Sequence, residues 1–183
     1  ITLEDMPIIV NLVANDPDSD TLDFNVITAE NELEAVVLND TLTIQPVEDW
    51  HGESSVQVIV FDYNLSDTTE FSVTVNSVND QPVAFPLDFD IQEEAVLEII
   101  LDGSAGPANE SSQTLTHILT SLPSYGVLSL TPNGPSILQS EIPLSLGNAA
   151  IYFGSSERFD QAIFNYQVED NGGTENGGIE LSD

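Results

Sequence analysis

The sequence contains no cysteine and no lysine, and Arg158 is its only strongly basic side chain. Without cysteine there is neither a disulfide framework nor a thiolate metal site. No window approaches 18 consecutive apolar residues, so no segment reads as a membrane-spanning helix. A helical period is missing, and the start has neither the basic stretch nor the apolar run of a signal peptide. Opening on Ile1, the chain reads as an excerpt of a longer polypeptide. Against one arginine stand 32 Asp and Glu residues, a formal charge of −31. That charge repels nucleic acid and anionic membranes and excludes both as partners. It also opposes the compact state unless cations or salt offset it.

What is present supports a fold. Hydrophobic residues make up 40% of the 183 positions, enough for a packed core in one large domain or two small ones. The acids are dispersed along the chain, which places them on a folded surface rather than in a tail.

Residues 1–78 read as about seven short strands. Ile8 to Val13 is an apolar run ending in the acidic turn Asn15-Asp16-Pro17-Asp18-Ser19-Asp20. Leu22, Phe24 and Val26 then alternate with Asp23 and Asn25. Leu33–Leu38 and Leu42–Ile44 are separated by the turn pair Asn39-Asp40. A second acidic turn, Glu48-Asp49-Trp50-His51-Gly52, leads into Val56, Val58 and Val60 and the closing Phe61-Asp62-Tyr63-Asn64. Phe71, Val73 and Val75 form one face of a last strand. Such strands and turns predict a sandwich.

The second half repeats this logic with longer insertions. Glu93-Glu94 precedes the strand 96–101, as Glu4-Asp5 precedes Ile8, and that strand ends in Asp102-Gly103-Ser104. A Gly/Pro/Ser-rich loop leads to strands at 115–120, 127–128, 149–153 and 163–168. Val168-Glu169-Asp170 echoes Val60-Phe61-Asp62. The end, with Asn171-Gly172-Gly173 and Asn176-Gly177-Gly178, reads as mobile turn sequence and leaves the last strand truncated. The expectation is therefore two tandem domains, 1–80 and 81–183.

Between them lies Val78-Asn79-Asp80-Gln81-Pro82, three oxygen-bearing side chains stopped by a proline. Strand direction sorts the acids around it. Glu4 and the Glu48-Asp49 pair lie at the end of domain one where its last strand exits. Asp16, Asp18 and Asp62 lie one strand length away, at the opposite end. Asp102 and Asp170 lie at the linker end of domain two. Carboxylates flanking Asn79 and Asp80 from both sides predict a cation at the junction, and calcium takes six to eight such oxygens.

These motifs, Glu4, Asp16-Pro17-Asp18, Val60-Phe61-Asp62 and Val78-Asn79-Asp80-Gln81-Pro82, resemble the spaced calcium motifs of cadherin repeats. The pattern is most similar to cadherin-like tandem repeats of large bacterial surface adhesins. Leu122-Pro123-Ser124-Tyr125-Gly126-Val127-Leu128 also resembles chondroitin-sulfate-proteoglycan-type repeats. The resemblance implies two tandem cadherin/immunoglobulin-like Greek-key sandwiches, stiffened by Ca2+ and standing at the cell surface. It implies that Glu4 is the base glutamate, that Glu48-Asp49 is the acidic motif before the penultimate strand, and that Asn79-Asp80 is the linker. Asp16, Asp18 and Asp62 match acceptors facing a preceding repeat. Ser77 and Gln81 stand where such linkers often have Asp and Asn, and Ser104 replaces a second Asp, which implies fewer ions.

Other candidates carry less. A structural role is the better reading for His51, His117 and Trp50. No Gly-x-Ser-x-Gly elbow, phosphate loop or Cys/His pattern is present. Asn39-Asp40-Thr41, Asn64-Leu65-Ser66 and Asn109-Glu110-Ser111 match a glycosylation pattern too short to weigh. The sequence thus predicts a non-catalytic, calcium-stabilised spacer and adhesion module of an extracellular protein. Its expected partners are neighbouring repeats and a surface glycan or protein. The alternative is a carbohydrate- or protein-binding module using the loops of domain two.

Overall fold

In the strand Thr41–Pro46, Leu42 and Ile44 point to one side and are fully buried, while Thr41, Thr43 and Gln45 are half-buried on the other. This two-residue period builds most of the molecule. The computed structural model describes residues 1–18, 21–29, 31–62, 64–147, 149–155 and 161–183. Ser19 and Asp20 of the first acidic turn, Tyr63 and Arg158 lie outside the described residues. The chain divides into two compact units, Ile1–Val78 and Asn79–Asp183. The division falls two residues before the expected one, so Asn79 and Asp80 belong to the second unit.

The first unit has β1 (Thr2–Leu3), β2 (Ile8–Asn11), β3 (Asp23–Thr28), β4 (Leu33–Leu38), β5 (Thr41–Pro46), β6 (Gly52–Phe61) and β7 (Ser66–Asn76). They form two sheets, β1-β7-β6-β3 and β2-β5-β4. The β1–β7 pair is parallel, with Thr2 opposite Val75, and the other pairs are antiparallel. Leu33, Leu42 and Ile44 from one sheet meet Val56, Val58, Val73 and Val75 from the other. Each such side chain, fully buried, contributes about 1.5–3 kcal/mol. Trp50 packs against this core from the turn before β6.

The second unit has β8 (Val83–Ala84), β9 (Val96–Ile100), β10 (Gly103–Ser104), β11 (Thr116–Leu119), β12 (Val127–Ser129), β13 (Leu144–Leu146), β14 (Ala150–Gly154) and β15 (Tyr166–Glu169). Sheets β13-β11-β15 and β12-β14-β9 carry the core, and β8 pairs with β10. Ile99, Leu128, Ile151 and Phe153 pack against Leu119 and Leu146. The strand expected over 163–168 is regular only from Tyr166: the Asn165 carbonyl still accepts from the Thr120 N–H at 2.9 Å, but its own N–H is diverted to Ser121 Oγ at 2.8 Å. Leu144–Leu146 went unpredicted, being too short to show a period.

Candidate metal centres

In the first unit, two tight turns bring acids together. Asp5 and Asp49 have φ of 60° and 59°, a left-handed conformation that short polar side chains tolerate. Asp5 Oδ1 accepts a 3.1 Å hydrogen bond from the Asp49 N–H, tying the turn after β1 to the turn before β6. Glu4 is only 3% exposed. Its Oε1 accepts from the Val78 N–H, which fixes the chain after β7. Its Oε2 meets no hydrogen-bond donor, and His51 Nδ1 stands 3.7 Å away. Glu48 beside them is exposed and Asp49 half-buried.

In the second unit the centre is Asn79, buried and fully used. Its Nδ2 donates to Asp170 Oδ1 at 2.9 Å and to the Ile179 carbonyl at 2.8 Å. Its Oδ1 accepts from Gln113 Nε2 at 2.8 Å. The Asp80 N–H donates to Glu110 Oε1 at 3.1 Å, and Gln113 Nε2 also reaches that oxygen at 3.2 Å. Glu110 and Asp170 are 6% and 5% exposed, yet Glu110 Oε2 and Asp170 Oδ2 have no hydrogen-bond donor. Burial pushes the Glu110 carboxyl above its ordinary 4.5, and the Asp80 and Asp170 charges add to that against the Asp80 N–H bond.

Glu110 is a residue that the sequence reading missed. It lies at the end of a 3₁₀ turn, Ala108–Glu110, inside the Gly/Pro/Ser-rich loop. Ser104, which replaces the expected second Asp, is turned into its own loop: its Oγ donates to the Gly106 carbonyl at 2.9 Å. The loop then returns through Gly106, φ 145°, where a Cβ would stand 2.2 Å from Glu110 Oε2. Glycine there makes room for the carboxylate, and nothing in the spacing of the acids announces it.

The remaining predicted residues lie elsewhere. Asp102 is exposed; its carbonyl accepts from Tyr166 Oη at 2.8 Å, and its carboxylate acts electrostatically on His117 and Tyr166. Asp16 and Asp62 line one cleft of the first unit with Asp67. β6, from Gly52 to Phe61, separates Asp62 from the Asp49 turn. Asp16 Oδ1 accepts from the exposed Asp18 N–H at 2.7 Å. Asp62 Oδ1 accepts from Leu65 and Asn64 N–H at 2.7 and 2.9 Å, and these bonds hold its carboxyl below the ordinary 3.8.

Chemically, the acids of both groups offer oxygen, and the first group adds the His51 imidazole beside Glu4. Buried carboxylate oxygens without donors are costly when ionised and suit a hard divalent cation. The residues present therefore fit calcium.

This fold defines the chain as a tandem of cadherin/immunoglobulin-like β-sandwich repeats. Residues 1–76 match the family described as bacterial Ig domain. No curated protein sequence matches the chain. Among solved structures it is similar to human protocadherin-24 EC1-2, at 16% identity over 100% of this chain and 87% of that one, with a TM-score of 0.52. That likeness is one of fold. An endo-fucoidan hydrolase of glycoside hydrolase family 107 is matched at 19% identity and a TM-score of 0.38. The match covers 99% of this chain and 26% of the hydrolase, so the chain spans about a quarter of that protein's length. Among the described residues, no helix is long and apolar enough to cross a membrane.

Proposed function

We propose that these repeats form part of an extracellular, adhesin-type surface protein, in which they serve as a non-catalytic spacer and adhesion module stabilised by calcium. The observation that carries this reading is the set of buried carboxylate oxygens without donors, Glu4 Oε2, Glu110 Oε2 and Asp170 Oδ2. A chain with a single arginine among 32 acids has almost no internal cation to satisfy them. In this reading Glu4, Glu48 and Asp49 serve a cation in the first unit, and Asp80, Glu110 and Asp170 in the second. Asn79 acts as the organiser of the second group. Asp16, Asp18 and Asp62 form a separate acidic group, with Asp18 exposed and the other two half-buried, and Asp102 stands apart. The adhesive partner is a surface glycan or protein, and nucleic acid is disfavoured by charge.

A calcium titration followed by melting tests the reading. A cation bound only by the folded state stabilises it by about 2.7 kcal/mol at one hundred times its Kd. Melting temperature should rise on passing from chelator to millimolar calcium. Magnesium should do much less, since it dehydrates reluctantly. An equal rise with sodium at matched ionic strength would reduce the effect to screening of the −31 charge.

A further inference from the structure

Three segments of the first unit converge where β7 leaves its sheet. β7 lies between β1 and β6, with Leu3 opposite Asn76 and Gly52 opposite Val75. Glu4, the residue after β1, and His51, the residue before β6, therefore flank the same end of β7 from its two sides. Glu4 continues the β1 pairing, its N–H donating to the Asn76 carbonyl at 2.9 Å. Its carboxylate is buried, and Oε1 is taken by the Val78 N–H. Oε2 is left 3.7 Å from His51 Nδ1, with no hydrogen-bond donor. The Glu4 side chain is 2% exposed and that of His51 44%, so a buried oxygen stands behind a half-exposed imidazole.

This pair differs in kind from the group around Asn79. Calcium takes six to eight oxygens, carboxylates often giving both of theirs. Glu4 has one oxygen left to give, and the atom facing it is a nitrogen. An imidazole beside a single carboxylate oxygen suits borderline divalent metals, of which zinc is the one without redox chemistry. Zinc holds nitrogen and oxygen at about 2.0–2.2 Å, so two ligands at a tetrahedral angle stand about 3.3–3.6 Å apart. The 3.7 Å between Glu4 Oε2 and His51 Nδ1 closes to that range with a small turn of the imidazole, which has solvent on one side. With His117 buried in the other unit and no cysteine in the chain, no other accessible imidazole or thiolate competes.

We propose that Glu4 Oε2 and His51 Nδ1 bind one zinc ion in the first unit, with water filling the remaining positions on the exposed side of the imidazole. This rests on the reading that the first group serves a cation, and it names the class of that cation. A borderline metal sits at Glu4, while the all-oxygen group of Asp80, Glu110 and Asp170 keeps calcium. The zinc ties the turn before β6 to the residue after β1 across the end of β7, so it stabilises the first unit alone.

The chain has only two histidines, which makes the test local. Zinc chloride is added to the full chain at neutral pH in millimolar calcium, and the ring protons of both imidazoles are followed by proton NMR. The His51 signals should move to saturation and those of His117 should stay. In Glu4→Gln the amide still offers an acceptor to the Val78 N–H, and zinc binding at His51 should weaken at least tenfold. His51→Gln should abolish the zinc-induced rise in melting of the first unit, read by Trp50 fluorescence, while the calcium response of the second unit persists. Equal zinc affinity in a folded Glu4→Gln would reduce the site to a surface imidazole and overturn the proposal. Should that variant not fold, an undiminished zinc-induced rise in His51→Gln overturns it instead, as does the absence of any His51 shift in wild type. Calcium that moves the His51 signals and blocks zinc would likewise overturn it and leave the calcium reading standing. Zinc binding at His51 in a chain that calcium does not stabilise would sink the calcium reading and support the zinc site.

Discussion

The side chain of Asn79 donates a 2.9 Å hydrogen bond to the carboxylate of Asp170, 91 residues further along the chain. With the bonds to the Ile179 carbonyl and from Gln113, it ties the start of the second unit to the end of its β15 hairpin. The residue that looked like a linker is thus a structural pin of the second unit. The carboxylates beside it, Glu110 and Asp170, are held in place by the same network.

Replacing Asn79 by alanine should therefore destabilise the second unit and spare the first. Leaving buried partners unpaired costs about 1–3 kcal/mol per group. Gly172 gives an independent check. A Cβ there would stand 1.6 Å from Asn79 Oδ1, so Gly172→Ala should loosen the same amides. Hydrogen exchange on the full chain separates the units, and Trp50 fluorescence reports the first. Equal loss of protection in both units would remove Asn79 from this role.

Glu110→Gln should raise stability in chelator by about 1–3 kcal/mol, the cost of a buried group without a partner. The amide keeps an acceptor for the Asp80 N–H and removes a charge facing Asp80 and Asp170. The same variant should lose most of the stabilisation that calcium gives the second unit, while the first unit keeps its own. The pH dependence has a definite sign. The carboxyl is raised above 4.5, so its favourable contribution is full below that value and is lost as pH rises through the folded-state value. Chelated wild type should gain stability on acidification through that window, and Glu110→Gln should gain less. Calorimetric melts across pH check both.

The all-β architecture was legible because Leu42, Ile44, Val56, Val58, Val73 and Val75 alternate with polar residues in the sequence as they do in the core. That Glu4 and Asp49 fall in the turns before β2 and β6 was legible because an alternating apolar run stands on the far side of each turn. Glu110 was not. Its placement depends on a loop that turns Ser104 inward and passes the carboxylate over Gly106, a tertiary effect without local period. Gly172 was misread for a related reason. A glycine that makes room for Asn79 looks, in sequence, the same as one that makes a loop mobile.

The last expectation concerns His117, on β11 between Val168 of β15 and Leu146 of β13. It is 9% exposed, its Nε2 has no hydrogen-bond partner, and its ring centroid lies 6.2 Å from that of Tyr166. Burial lowers the imidazole below its ordinary 6.5, and the Asp102 carboxylate only partly offsets this. The neutral form is therefore the one that the fold accepts. Its contribution is full above 6.5 and is lost as pH falls through the lower folded-state value. Glu110 acts in the opposite direction as pH falls, so the comparison belongs in the Glu110→Gln background. There, stability of the second unit should fall on acidification below pH 6.5, and His117→Phe, which keeps a ring beside Tyr166 and carries no proton, should flatten that fall. Proton NMR of the two imidazoles gives the direct measurement: His117 should titrate below 6.5. A His117 that titrates at or above 6.5, with a pH profile unchanged by phenylalanine, would mean that the Asp102 charge outweighs burial at this site.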